Sequence, residues 1–259
     1  MNPKSVDRFP TASAAILAAL LFCAGTSTAA PTMYSLAGDW SDTQNPSGPW
    51  SYNYNNSPIA IYQTFFWGQS GWSDNPSDYG RWLGDGAILK GFSPGGALTP
   101  WGDVVPPPHD WLPGDVMLHA LSLAYGGDSL FLNVTWTSPA DGTIDLAGRA
   151  WDGQIFADRD LRWTLSVGGE LFGERSSVQG LYRTDAEAQF ASNLVGGHSL
   201  TGIPVMQGDE VQFLVAAQTY YGQFLGLEEN IAFSPIPEPG TLGLLATGLL
   251  LYRGCRRRA

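Results

Sequence analysis

The sequence predicts an all-β body, a jelly roll or similar β-sandwich with long aromatic loops. A signal peptide precedes it and a single hydrophobic helix follows it. Three observations predict the body. No apolar stripe of 3.6-residue period is sustained past two turns between Ala30 and Pro235. Period-two runs and short β-type apolar runs recur instead. Gly (32) and Pro (18) are in excess, which speaks for many turns. A hydrophobic content of 44% with 10 Trp places the chain among core-forming proteins rather than disordered ones.

The N-terminus comes first. Lys4 and Arg8 precede an apolar run from Ala12 to Ala24, interrupted only by Ser13. Small residues follow, from Gly25 to Ala30. A charged head, an apolar run and a small-residue end form a secretory signal peptide over residues 1–29. Ser27 and Ala29 supply the small side chains that signal peptidase requires, so the cut falls after Ala29. A cut after Ala30 fits sterically but would leave Pro31 at the new end. The alternative is an uncleaved anchor, for which the run is short.

The body is read over residues 30–234. The predicted strands are Ile59–Trp67, Val116–Leu123, Leu130–Thr137 and Thr143–Arg149, then Asp160–Val167, whose Leu161, Trp163, Leu165 and Val167 alternate strictly. Gly168-Gly169 makes a hairpin turn into Glu170–Phe172. Val178–Tyr182, Ala186–Phe190, Asp209–Ala217 and Leu227–Phe233 complete the set. About nine or ten such strands suit a sandwich. Residues 38–115 differ. They hold Trp40, Trp50, Trp67, Trp72, Trp82, Trp101 and Trp111 among many Gly, Pro, Asp and Asn, and read as ordered loops around a few strands, capping one side of the sandwich.

Residues 235–259 close the chain. Pro235, Ile236, Pro237, Glu238, Pro239 and Gly240 form an extended, donor-poor lead-in. The apolar stretch Thr241–Tyr252 is short for a membrane span at about 1.5 Å per residue. Arg253, Arg256, Arg257 and Arg258 follow as a basic stop that favours the cytoplasmic side. These three parts in order resemble the PEP-CTERM sorting signal of Gram-negative bacteria. The resemblance implies that exosortase, an integral-membrane cysteine transpeptidase, reads Pro237, Glu238 and Pro239 and removes the helix and arginines. Related tails carry an ice-binding protein C-terminal label, which names the tail and does not imply ice binding. An ordinary tail anchor is the alternative.

Within the body, Trp136–Ile144, Leu161–Phe172 and Val205–Phe213 resemble the entry strand, long hairpin and late strand of bacterial galactose-binding-like jelly rolls, with Leu227–Phe233 as closing strand. That resemblance implies a fold, and a fold does not set a function.

Charge and composition exclude several chemistries. The formal net charge is −11, and between Ala30 and Ile236 stand 7 Lys/Arg against 22 Asp/Glu. No basic face is available for nucleic acid. The two cysteines, Cys23 and Cys255, both lie in the terminal segments, so the body has no disulfide, Cys-ligated zinc or Cys nucleophile. His109, His119 and His198 lack metal-ligand spacing, and His119 reads as a core residue. No serine sits in a nucleophile elbow, and no Gly-rich phosphate loop is present. Glu228 and Glu229 are adjacent in a strand and point to opposite faces, poor geometry for a glycosidase pair. No cofactor is expected. Acidic turns at Asp74–Asp78, Asp141–Asp145 and Asp152–Asp160 leave structural calcium open, without the spacing of a dedicated loop.

Aromatic residues are the best binding signal. Sugar rings stack C–H faces on Trp while Asp, Asn and Gln fix hydroxyls. Trp67, Trp72, Trp82 and Trp101 are therefore the candidate ligand-binding residues, against the rival that they pack as core. The sequence thus reads as an exported, non-enzymatic protein of the cell surface or extracellular matrix. It is transiently anchored in the inner membrane and associates with surface polysaccharide. Its processing partners are signal peptidase and exosortase. The alternatives are a structural surface component without ligand and a polysaccharide hydrolase.

Overall fold

The computed structural model describes residues 30–64, 70–73, 86–91, 110–120, 131–153, 159–219 and 222–236. One unit comprises 31–235, and the two chain ends group separately. The strands of the body are β1 (Thr32–Ser35), β2 (Trp50–Tyr54), β3 (Ser57–Pro58), β4 (Ile61–Thr64), β5 (Ser70–Ser73), β6 (Ala87–Lys90), β7 (Val116–Ala120), β8 (Leu132–Thr137), β9 (Gly142–Asp152), β10 (Leu161–Val167), β11 (Glu170–Arg175), β12 (Ile203–Val205), β13 (Glu210–Ala217) and β14 (Gln223–Pro235). Apart from two short 3-10 turns, Ala186–Ala188 and Phe190–Asn193, regular structure among the described residues is all β.

The strands form two antiparallel sheets. The first runs β12-β9-β14-β7-β6-β5-β4, with β1 also on β14. The second runs β11-β10-β13-β8-β2-β3. In the first sheet β14 is the axis. It pairs with β9 from Leu225 to Pro235, while β7 covers Gln223–Leu227 and β1 covers Asn230–Phe233 on its other side.

Period-two burial makes the sandwich. On β10, Leu161, Trp163, Leu165 and Val167 are buried, with Arg162, Thr164 and Ser166 between them on the other face. They lie in register with Ala217, Val215, Phe213 and Val211 of β13. Across the core, Leu225, Leu227, Ile231 and Phe233 of β14 and Ile144, Leu146 and Ala150 of β9 complete one apolar cluster. Trp163 packs 5.4 Å from Phe213 and 5.6 Å from Phe190. Each such side chain contributes about 1.5–3 kcal/mol on burial. The expected Gly168-Gly169 hairpin joins β10 to β11, with φ of +57° and +82° that glycine adopts without strain.

The segment between β11 and β12 closes one edge of the sandwich. Gln189 bridges to Arg149 of β9, and Leu194 bridges to Gly173 of β11. Val178–Tyr182 and Ala186–Phe190, expected as strands, are here a turn and 3-10 structure. Val178 and Phe190 are buried because they plug the gap between the sheets, and Leu181 because it packs with Trp151 and Ala188, all without joining a ladder. Burial alone produced the strand-like sequence signal.

The 38–115 region is also corrected. Its described parts are not a cap. β2 and β3 complete the second sheet, and β4, β5 and β6 complete the first. The outer face of the first sheet is covered by apolar side chains. Ala87, Leu89, Trp111, Met117 and Phe224 form one cluster, and Trp151, Leu181 and Ala188 another. The Trp151 indole lies across Gly226, where any added Cβ would sit 2.1 Å from the ring. Among the described residues no helix is long and apolar enough to cross a membrane. The signal peptide and the apolar stretch Thr241–Tyr252 lie outside the described residues.

Candidate functional site

The outer face of the second sheet carries a polar groove. Alternation on β2, β8 and β13 turns Ser51 and Asn53, Asn133, Thr135 and Thr137, and Glu210 and Gln212 away from the apolar core. The register aligns them in rows. Ser51 faces Thr135, which faces Gln212; Asn53 faces Asn133; Thr137 faces Glu210. The β2–β3 turn folds over one end, with Asn55 and Asn56 at φ of 47° and 63°, the left-handed pair a tight hairpin needs. Pro46, Gly48 and Pro49 wall the other end. The groove measures about 470 Å³.

A neutral hydrogen-bond network fixes its floor. Asn53 Nδ2 donates to Asn133 Oδ1 at 2.8 Å and to Thr135 Oγ1 at 3.2 Å. Thr135 Oγ1 donates to Asn133 Oδ1 at 3.1 Å, and Ser51 Oγ to Asn53 Oδ1 at 2.9 Å. Asn133 Nδ2 and Gln212 Nε2 both reach Asn56 Oδ1, at 2.8 and 3.2 Å. Asn53, Asn133 and Thr135 are at most 4% exposed, so their orientations are held by packing as well as by bonding. Of the groove-lining residues only Glu210 is charged. A floor of amides and hydroxyls with one carboxylate is a chemistry for neutral polyhydroxylated ligands.

The expected aromatic residues divide differently. Trp67, Trp82 and Trp101 lie outside the described residues, as do His109, Ala29, Pro237, Glu238, Pro239, Arg253, Arg256, Arg257 and Arg258. Ala30 is exposed. Trp72 is core. It is 4% exposed on β5, its indole N–H donates to the Ser41 carbonyl at 3.0 Å, and its ring meets Tyr52 and Tyr62. It therefore presents no stacking face. The reason is that β5 is an interior strand, hydrogen-bonded on both edges by β4 and β6.

Glu228 and Glu229 point to opposite faces. Glu228 takes the Arg149 Nε at 3.0 Å and is partly exposed. Glu229 points between Leu227 and Ile231 into the core, and neither of its carboxyl oxygens has a hydrogen-bond partner. Burial pushes its carboxyl up to about 8. His119 is buried with its ring 4.7 Å from Phe224. Asp160 Oδ1 accepts from three backbone N–H groups, those of Leu161, Val178 and Gln179. Asp141 and Asp145 likewise accept from backbone, at Gln207 and Gly202. Among the described residues no group of three His, Cys, Asp or Glu side chains is placed to hold a metal.

Residues 235–258 match the PEP-CTERM protein-sorting motif. The match begins at the last residue of β14. No curated protein matches the chain.

Proposed function

We propose, on the premise that this chain is an exported, exosortase-sorted protein with a β-sandwich body, that it is a non-enzymatic component of the cell surface or extracellular matrix. Its task is to hold exopolysaccharide. The export route runs through the inner membrane of a Gram-negative cell, where the C-terminal apolar stretch anchors the chain until Pro237-Glu238-Pro239 is processed. The single observation that supports the polysaccharide reading is the groove, a preorganised neutral floor of amides and hydroxyls. A ligand meeting it pays little to order these side chains. The lone carboxylate lining the groove favours binding over hydrolysis, which pairs two carboxyl groups across one bond.

The test is a sedimentation assay of the exported protein with polysaccharide from the producing strain. Gln212→Ala removes a rim amide of the groove, and stability should stay within about 0.5 kcal/mol. Binding should weaken by about fivefold or more, the worth of a lost hydrogen bond. Unaltered binding would leave the protein a structural surface component without ligand.

A further inference from the structure

A second polar site lies at the surface, on the loop that also walls the groove, and it has the opposite hydrogen-bonding character. Trp40 Nε1 and the Tyr62 hydroxyl both donate to Asp42 Oδ1, each at 2.6 Å. Asp42 is exposed, while Trp40 and Tyr62 are half-buried. Behind them the rings are fixed: Trp40 packs 4.4 Å from Tyr52, and Tyr62 meets Trp72 edge-on at 5.2 Å. The loop is also fixed. Ser41 Oγ accepts from the Thr43 and Gln44 N–H groups, and Asn45 Nδ2 donates to the Tyr52 and Ile59 carbonyls at 2.7 and 2.8 Å. Burial and the Asp42 carboxylate both raise the Tyr62 phenol, so it stays a donor to that carboxylate.

The donor count decides what this site can take. The indole N–H and the phenol O–H are both spent on Asp42 Oδ1. What remains on these three side chains is acceptor only: Asp42 Oδ2 and the negative faces of two aromatic rings. Asp39 adds a second carboxylate near the same ring stack, close enough to act on the Tyr52 phenol. The Lys90 ammonium is engaged on the Ala37 carbonyl at 2.7 Å. A neutral sugar hydroxyl finds no free donor on these three side chains. A protonated amine matches every feature of the site.

We propose that Trp40, Tyr62 and Asp42 bind a protonated amine carried by the same polysaccharide, a de-N-acetylated amino sugar. This rests on the glycan reading of the groove. The connection is geometric, because four residues from Asp42 to Pro46 span at most ~14 Å. One extended chain can therefore occupy both places. The groove takes its neutral units and Asp42 its charged ones.

The probes are a glucosamine hexamer and its fully N-acetylated counterpart, titrated calorimetrically into the exported protein at pH 6. The amine hexamer should bind about tenfold tighter at low salt, the joint worth of an exposed cation–π contact and a surface ion pair. The difference should shrink at 0.5 M salt. Asp42→Asn, which keeps the hydrogen-bond acceptor and removes the charge, should abolish the difference while leaving the acetylated hexamer unaffected. Trp40→Phe, which keeps a ring face, should retain the preference and controls for loss of fold. Equal affinity for the two hexamers overturns the amine site while leaving the groove reading intact, provided Gln212→Ala still weakens both. A preference that survives Asp42→Asn also overturns it. Binding of oligolysine through Asp42 with no binding of either hexamer would assign the site to a protein partner and overturn the glycan assignment.

Discussion

The two sheets present their outer faces in opposite ways. The first sheet is covered on the outside by Trp111, Met117, Phe224, Trp151 and Leu181, and its strands β5, β6 and β7 are buried on both faces. The second sheet leaves Ser51, Asn53, Thr135, Thr137 and Gln212 around an open groove. Both sheets share one core, so stability does not require this asymmetry in the strands themselves. A covered face stabilises by removing apolar area from water. A polar face held in register by its own amides stabilises little net, because its bonds replace bonds to water. What it gains is a fixed pattern of donors and acceptors. The first sheet seals apolar area on its outside, and the second presents the polar groove proposed to hold polysaccharide.

The largest test of that division is pH. Glu229 lies inside the first sheet, with its pKa near 8 in the folded state against an ordinary 4.5. A raised folded pKa stabilises fully below the unfolded value, and that stability is lost as pH rises through the folded value. The melting temperature should fall steadily from pH 5 to pH 8 and level off above. The full shift corresponds to about 5 kcal/mol. Glu229→Gln should flatten the profile in thermal denaturation. Groove binding should follow the profile only where the protein unfolds. A flat wild-type profile would refute the buried acid.

Next in size is the cover on the first sheet. Trp111→Ala opens the contact with Phe224, 5.4 Å away, and should cost about 3–5 kcal/mol in denaturant unfolding. A cost under about 1 kcal/mol would mean that this face is not sealed. The smallest effect belongs to the groove floor. Asn133→Ala leaves one buried Asn53 N–H and the Thr135 hydroxyl without their shared acceptor, and should cost about 1–3 kcal/mol. It should also weaken polysaccharide binding. Equal stability with wild type would show that water replaces the lost amide.

Legibility followed the same division. Leu161–Val167 and Leu132–Thr137 could be read because one face is buried and the other is polar, which writes a period of two into the sequence. Ser70–Ser73 is buried at every position and shows no alternation, so no period of two marks its strand. Thr32–Ser35, Trp50–Tyr54, Ala87–Lys90 and Ile203–Val205 were missed as well, each at most five residues long. Tryptophan pointed to a ligand where it marked the core: Trp72 is as apolar on a buried strand as on a loop. The groove could not be seen at all. Its residues are the outward polar positions of ordinary strands, and they become a site only when Asn53 meets Asn133, 80 residues away. The Asp42 cluster was hidden for the same reason, since Tyr62 comes from a strand 20 residues further on.

The position of β14 has a mechanical consequence. It ends at Pro235, where the sorting motif begins, and it is flanked on both sides within its sheet. A pull on the C-terminal end of the body runs along this strand. Its ladder with β9 extends from Leu225 to Pro235, and the hydrogen bonds lie across the strands. Such a load shears many bonds together instead of unzipping them one at a time. A chain held at that end would therefore resist drag through its best-supported strand, while the groove on the other sheet lies off the line of force.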